Sequence, residues 1–335
     1  MLETTIDSEI FIDFCKSQPD PIRSTKEFDK WFSFWLFLVA GTNLKFVLNE
    51  NVNGQKIESR FFTELSSGQG DRGFKVLNKF NWPNRNILPQ KTFPGSFFCL
   101  TQEDQNKREQ LVNKNGMLIG FIDDYKKKWN DLSFQGKSKI LSVRKGVKDA
   151  PHLEKWKDLT DYMLPFTDII IYDNFILNDP SIRDSNFLEL LKVLDSTVSS
   201  EYNLLIVTYE GTNNAPANID EIYTYINSVI EKFKFKAKVG IVLASHSIKE
   251  HDRCIIMNYL RIKSGNTLNY FNRLGEIVIN GTEIDFWPFC NQDNFLTTKV
   301  ILSSINEIVK KELFRHVEIH IRGNIKNRLF EYCDD

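Results

Sequence analysis

His251, Arg253 and Asn258 are spaced as an imidazole, one residue, a guanidinium, four residues and a carboxamide. The residues between the last two, Cys254 to Met257, are apolar and suit a short buried strand, predicted over Arg253 to Met257. Side chains alternate faces along a strand, so His251 and Arg253, two positions apart, are expected on one wall. That pairing suits a phosphate. The planar fork of Arg253 grips two oxygens, while His251 attacks phosphorus, donates a proton or only hydrogen-bonds. The residues alone leave these three roles open.

The elements that must position this pair read as alternating strands and helices. Asp168–Tyr172 is an apolar, β-branched run fit for a central strand buried on both faces. Leu204–Thr208 and Lys238–Ala244 are further strands, separated by helices over Asp184–Leu194 and Asp220–Phe233, the second with Ile222, Tyr225, Ile226 and Ile230 inward. Such repetition implies parallel neighbours covered by helices. Ligands gather at the carboxyl ends of parallel strands. Asp173, Thr208 and Ser245-His246-Ser247 follow the three strands, so Asp173, Thr208, His246 and Ser264 are expected to converge on His251 and Arg253 as substrate-binding groups. Three of them also have a plainer reading: Asp173 caps the following turn, His246 is a surface loop residue, and Thr208 is satisfied by the backbone. Further on, strands are expected over Glu276–Ile279 and Val317–Ile321, the latter with Glu318 and His320 on one face. A turn is expected at Trp287-Pro288 and a helix over Thr297–Phe314.

The His251-Asp-Arg253 spacing, with Asn258 beyond it, resembles a variant of the His-x-Lys-(x4)-Asp signature of the phospholipase D superfamily, with Arg for Lys and Asn for Asp. Asp168-Ile-Ile-Ile-Tyr-Asp173-Asn-Phe-Ile, Phe187-Leu-Glu-Leu-Leu, Leu204-Leu-Ile-Val-Thr208 and Leu260-Arg-Ile-Lys-Ser-Gly265 add to the likeness. Their order is similar to that in the C-terminal phospholipase D-like domain of the ESCRT-associated MIT-domain protein and its bacterial relatives. The resemblance covers about a third of the chain, from Trp156 to Phe271. It implies a phospholipase D-like sheet and metal-independent phosphodiester chemistry, with His251, Arg253 and Asn258 as catalytic residues and no cofactor or metal. Enzymes of the superfamily bring two motif copies together. One copy is found in this sequence, so a homodimer is the arrangement that supplies the second. The branch it resembles binds phosphoinositide membranes without turnover.

At 335 residues with 41% hydrophobic and 13% aromatic composition, the chain is long enough for two domains or one large one with a sizeable core. A net charge of −1 excludes a global field for polyanions, so any such affinity must be local. One stretch stands out: residues 126 to 157 carry ten Lys or Arg against three acids. It reads as a solvated connector or as a phosphate-facing strip in which Lys145 and Lys148 bind substrate. Five cysteines without C-x-x-C spacing indicate neither a disulfide framework nor zinc and fit a reduced, cytoplasmic compartment, with Cys254 and Cys290 read as buried. The apolar run Trp31–Ala40 is half a membrane span and reads as a core helix stopped by Gly41. Gly68-x-Gly-x-x-Gly73 lacks a preceding hydrophobic strand and reads as a loop.

The expectation is therefore an α/β protein: an α+β domain over 1–125 without nameable chemistry, a basic connector over 126–157 and a phospholipase D-like domain over 158–335. Three function classes compete: a module binding nucleic acid or another phosphodiester head group, a metal-independent nuclease acting through His251, and a structural subunit with a vestigial site. A bacterial defence system, with a partner protein from the same operon, is the setting that the resemblance suggests.

Overall fold

The computed structural model describes residues 1–47, 75–77, 92–146, 150–209, 211–212, 215–244, 253–265, 267–315 and 317–333. The chain divides into two compact units, Met1–Gly136 with Phe289–Phe295, and Lys137–Pro288 with Leu296–Asp335. The division falls inside the basic stretch. Lys126, Lys127 and Lys128 lie on a helix of the first unit, while Lys137 onward belongs to the second.

In the first unit, strands β1 (Leu2–Asp7), β2 (Thr42–Val47), β3 (Lys75–Leu77), β4 (Ser96–Leu100) and β5 (Leu118–Phe121) form a sheet in the order β3-β2-β1-β4-β5. Every pairing is parallel. Parallel neighbours need crossovers, and helices Ser8–Lys16, Thr25–Leu36, Gln105–Asn115 and Tyr125–Leu132 are among the connecting segments. The unit expected as α+β is thus α/β. Asp104 caps the Gln105–Asn115 helix by accepting from the amides of Asn106 and Lys107, and Gly116, at φ 57°, ends it. The apolar run at Trp31–Ala40 continues the Thr25–Leu36 helix into a π-helical turn, Phe37–Gly41, and buries Phe34, Phe37 and Leu38. No helix among the described residues is long and apolar enough to cross a membrane.

The second unit is built on β6 (Ile140–Val143), β7 (His152–Leu153), β8 (Asp168–Tyr172), β9 (Tyr202–Tyr209), β10 (Gly211–Thr212), β11 (Ala215–Pro216), β12 (Ala237–Ala244), β13 (Cys254–Met257), β14 (Leu260–Ser264), β15 (Glu283–Pro288) and β16 (Ile321–Gly323). Nine of them form one mixed sheet, ordered β16-β12-β9-β8-β13-β14-β15-β6-β7, while β10 and β11 pair separately. β8, β9 and β12 are mutually parallel, as the strand–helix repetition predicts. Ile169, Ile170 and Ile171 of β8 are fully buried; each such side chain stabilises the fold by about 1.5–3 kcal/mol.

The fourth predicted strand is present as β13 but runs antiparallel to β8, with Cys254 opposite Tyr172 and Met257 opposite Ile169. Asn258 and Tyr259 alone join β13 to its antiparallel neighbour β14, where parallel pairing would need a covering helix. The expected strand at Glu276–Ile279 is instead one isolated bridge, Phe271 to Ile277, closing a turn around Gly275. The Trp287-Pro288 pair ends strand β15 rather than forming a turn. Val317–His320 is a helical turn, and the last strand is Ile321–Gly323. His320 Nδ1 and Glu312 Oε2 meet at 2.8 Å, a pairing of buried groups that outweighs the β-branched pattern. Val229, rather than Ile230, is the buried residue near the end of the Ile219–Phe233 helix. Cys290 is half-buried where full burial was expected.

The amino-terminal edge of β8 is tied by a buried polar network. Asn203 Nδ2 and the Arg328 amide both donate to Asp168 Oδ1, at 2.9 and 3.0 Å. Tyr332 Oη donates to the Asn258 carbonyl, so the carboxyl-terminal turn is stapled beneath the sheet.

Candidate functional site

The carboxyl ends of β8 and β9 lie beside the amino end of β13, because β13 is antiparallel to β8. Arg253 precedes β13 by one residue, next to the pair Cys254–Tyr172, and therefore stands across from Asp173. Its carbonyl accepts from the Ser264 amide at 2.7 Å, which brings the end of β14 to the same edge. The Asp173 amide in turn donates to the Val207 carbonyl, setting Thr208 next to Asp173. Asp173, Thr208, Arg253 and Ser264 are thus brought together, as the sequence predicts for the ends of parallel strands.

Arg253 is 6% exposed, and its guanidinium carbon lies 5.7 Å from the centre of the half-exposed Phe175 ring. Asp173 is fully buried. Its Oδ1 accepts from the amides of Phe175 and Ile176, at 2.6 and 2.8 Å, and its Oδ2 accepts from the Leu268 amide at 2.8 Å. Burial pushes the Asp173 pKa up, and the three amides and the Arg253 charge only partly oppose this. With three amides aimed at it, Asp173 acts as the clasp that fastens the turn after β8 to the loop after β14. The turn-cap reading of Asp173 is the one the hydrogen bonds describe.

Ser264 is engaged in a relay. Tyr270 Oη donates to Ser264 Oγ at 2.6 Å, and Ser264 Oγ donates to the Thr267 carbonyl at 2.7 Å. Burial, with the Asp173 charge adding to it, raises the Tyr270 pKa, so this phenol is a proton donor held neutral. Thr208 differs from its neighbours: it is 0% exposed, and its hydroxyl has no hydrogen-bond partner among the described residues. Such a group carries a desolvation cost until something polar meets it.

Other predicted residues lie elsewhere. Asn258 is five positions along the strand from Arg253, about 17 Å at roughly 3.4 Å per residue. Its Oδ1 accepts from the amides of Thr167 and Asp168, and its Nδ2 donates to Thr167 Oγ1 at 3.0 Å. It positions the start of β8 and does not face Arg253. Lys145 is exposed after β6, three strands across the sheet from β13, about 14 Å at the usual strand spacing. His251, His246 and Lys148, and the Gly68-x-Gly-x-x-Gly73 and Ser245–Ser247 segments, lie outside the described residues. The sequence reading missed Tyr270 and the Leu268 amide. Their signal was the polar run between β14 and Phe271, whose loop must supply the partners for Ser264 and Asp173. Among the described residues no cluster of His, Cys, Asp or Glu has the geometry to hold a metal ion.

No family model matches the chain, and no curated protein matches it. Among solved structures, the crystal structure of phosphatidylserine synthase from Haemophilus influenzae Rd KW20 is similar over 52% of this chain, at 13% identity and a TM-score of 0.25. The match spans 36% of that protein's own chain.

Proposed function

We propose that the second unit recognises a phosphate or phosphodiester group at the carboxyl ends of β8 and β9. Arg253 supplies the fork to the non-bridging oxygens, the Thr208 hydroxyl donates to a third position, and His251, two positions before Arg253 in the chain, is the remaining donor. The observation that carries this reading is the Thr208 hydroxyl. It is buried without a partner among the described residues, on the edge where Arg253 stands across from a carboxylate already saturated by three amides. An incoming anion relieves the hydroxyl and does not have to displace Asp173 from its own bonds. The resemblance of residues 156–271 to phospholipase D-like domains adds the expectation that the anion is a diester.

Isothermal titration of the full chain with bis(4-nitrophenyl) phosphate, in EDTA, tests this. Binding that falls at least tenfold in Arg253→Gln and severalfold in Thr208→Val supports the site. Arg253→Gln touches a buried group, so the near-isosteric Thr208→Val serves as the variant expected to fold. Unchanged binding in both, or none in the parent, removes the proposal. Release of nitrophenol that His251→Asn abolishes extends it from binding to catalysis.

A further inference from the structure

We infer that a cleft of about 500 Å³ in the second unit, bordered by Lys155, Lys157 and Arg273, binds the backbone of a single-stranded nucleic acid. Lys155 and Lys157 flank Trp156 at the start of the turn Trp156–Tyr162, and they are the last two cations of the basic stretch. Arg273 arrives from a segment more than a hundred residues later. Its turn is held by Asn272 Oδ1, which accepts from the amides of Leu274 and Glu276 at 2.9 and 3.0 Å, with Gly275 at φ +77°. The fold therefore assembles the cluster from two separate places in the chain.

The charges in the cleft are unbalanced by their surroundings. No carboxylate among the described residues pairs with Lys155, Lys157 or Arg273. Of the two acids that also border the cleft, Glu189 pairs with Lys192 at 2.5 Å, while Asp184, whose Oδ1 accepts from the neutral Tyr225 Oη at 2.7 Å, keeps its charge. Three cations against this one carboxylate leave the concavity with an excess of positive charge, which attracts a ligand with more than one anionic group. Trp156 and Phe271 are each 2% exposed and packed with Tyr270, their ring centres 5.0 and 6.3 Å from its own. They form the floor and offer no open ring face, so recognition rests on backbone charge and not on base stacking. A concave cleft of this volume follows a single strand, whereas a duplex or a flat lipid surface meets only its rim. This inference goes beyond the Arg253 site and stands without it.

The test is fluorescence anisotropy of the full chain with a fluorescein-labelled oligothymidylate of about twenty nucleotides, across a range of salt concentrations. Each neutralised phosphate contributes about −0.7 to the slope of log K against log salt for a single strand. The parent is therefore expected to show a slope of about −2 or steeper, and the triple variant K155Q/K157Q/R273Q a slope shallower by about 2 with at least tenfold weaker binding at low salt. All three side chains are exposed, so an unchanged melting temperature is expected and checks the fold. No binding by the parent, or an unchanged slope in the triple variant, overturns the inference. So does binding confined to phosphatidylserine vesicles, which assigns the cations and the 74%-exposed Leu274 to a lipid surface.

Discussion

Arg253 and Asn258 stand at opposite ends of β13, one beside Asp173 at the carboxyl edge of the parallel strands and the other under Thr167 and Asp168. The consequence is a division of labour along a single strand. Its upper end lies near the Thr208 hydroxyl, which has no partner among the described residues, and its lower end is hydrogen-bonded scaffold. Asn258→Ala therefore lowers stability by about 1–3 kcal/mol, since the buried Asp168 amide and the part-buried Thr167 amide lose their acceptor. Titration with bis(4-nitrophenyl) phosphate, corrected for the folded fraction by circular dichroism, is expected to show parent affinity. A tenfold loss at full folding places Asn258 in the ligand site after all.

Thr208→Val is the converse case. The substitution keeps shape and removes a buried hydroxyl that has no partner among the described residues. Relief of that desolvation stabilises the fold by about 1 kcal/mol, raising the urea midpoint at constant m-value, while ligand affinity falls. A stability gain with unchanged affinity assigns the hydroxyl no part in recognition. A stability loss means that it is satisfied within the folded protein.

Asp173 carries a pH signature. Burial raises its folded pKa above the usual 3.8, so the folded protein holds this proton more tightly than the unfolded chain does. The favourable contribution of this carboxyl is complete below the unfolded value and declines as pH rises through the folded one. Asp173→Asn removes that decline. It also turns an amide NH₂ toward at least one of the Phe175, Ile176 and Leu268 amides, at a cost of about 1–3 kcal/mol. Urea midpoints of the two proteins across the acid range should converge as pH rises. A gap that widens with pH reverses the sign and disproves the raised pKa.

The parallel core was legible in the sequence because β8, β9 and β12 are continuous apolar runs, each followed by a polar residue, and burial on both faces leaves no other reading. The site edge followed from the same runs: Asp173 and Thr208 lie where those runs stop. The separation of Arg253 from Asn258 was also implicit, since four intervening strand residues cannot bring two side chains to one ligand. The direction of β13 was not legible. Cys254–Met257 is equally apolar in either orientation, and only the pairing with β14 fixes it. Local propensity also failed at Val317–His320, where three β-branched or acidic residues read as strand but the His320–Glu312 contact holds a helical turn. In the first unit, β1 carries Thr4, Thr5 and Asp7 at buried positions, which masks a central strand as a polar terminus.

The last test separates the two edges of the sheet from the other side. At Gly240 of β12 a methyl group would meet the Asn324 carbonyl and approach Ile325 Cα to 2.8 Å, because the chain leaving β16 passes over the backbone there without room for a side chain. Those atoms are main chain and cannot rotate away, so Gly240→Ala displaces β16 at a cost of about 1–3 kcal/mol. β16 leads into Asn327, which donates to the Ile169 carbonyl at 3.0 Å, and into the Arg328 amide on Asp168, so the displacement loosens the amino-terminal edge of β8. Hydrogen exchange should quicken at Ile321–Gly323 and at Asp168 while the amides of Phe175, Ile176 and Leu268 keep their protection. Equal acceleration at both edges means that the sheet transmits the disturbance as one body, and a variant at the lower edge then cannot serve as a neutral reference for ligand binding at the upper one.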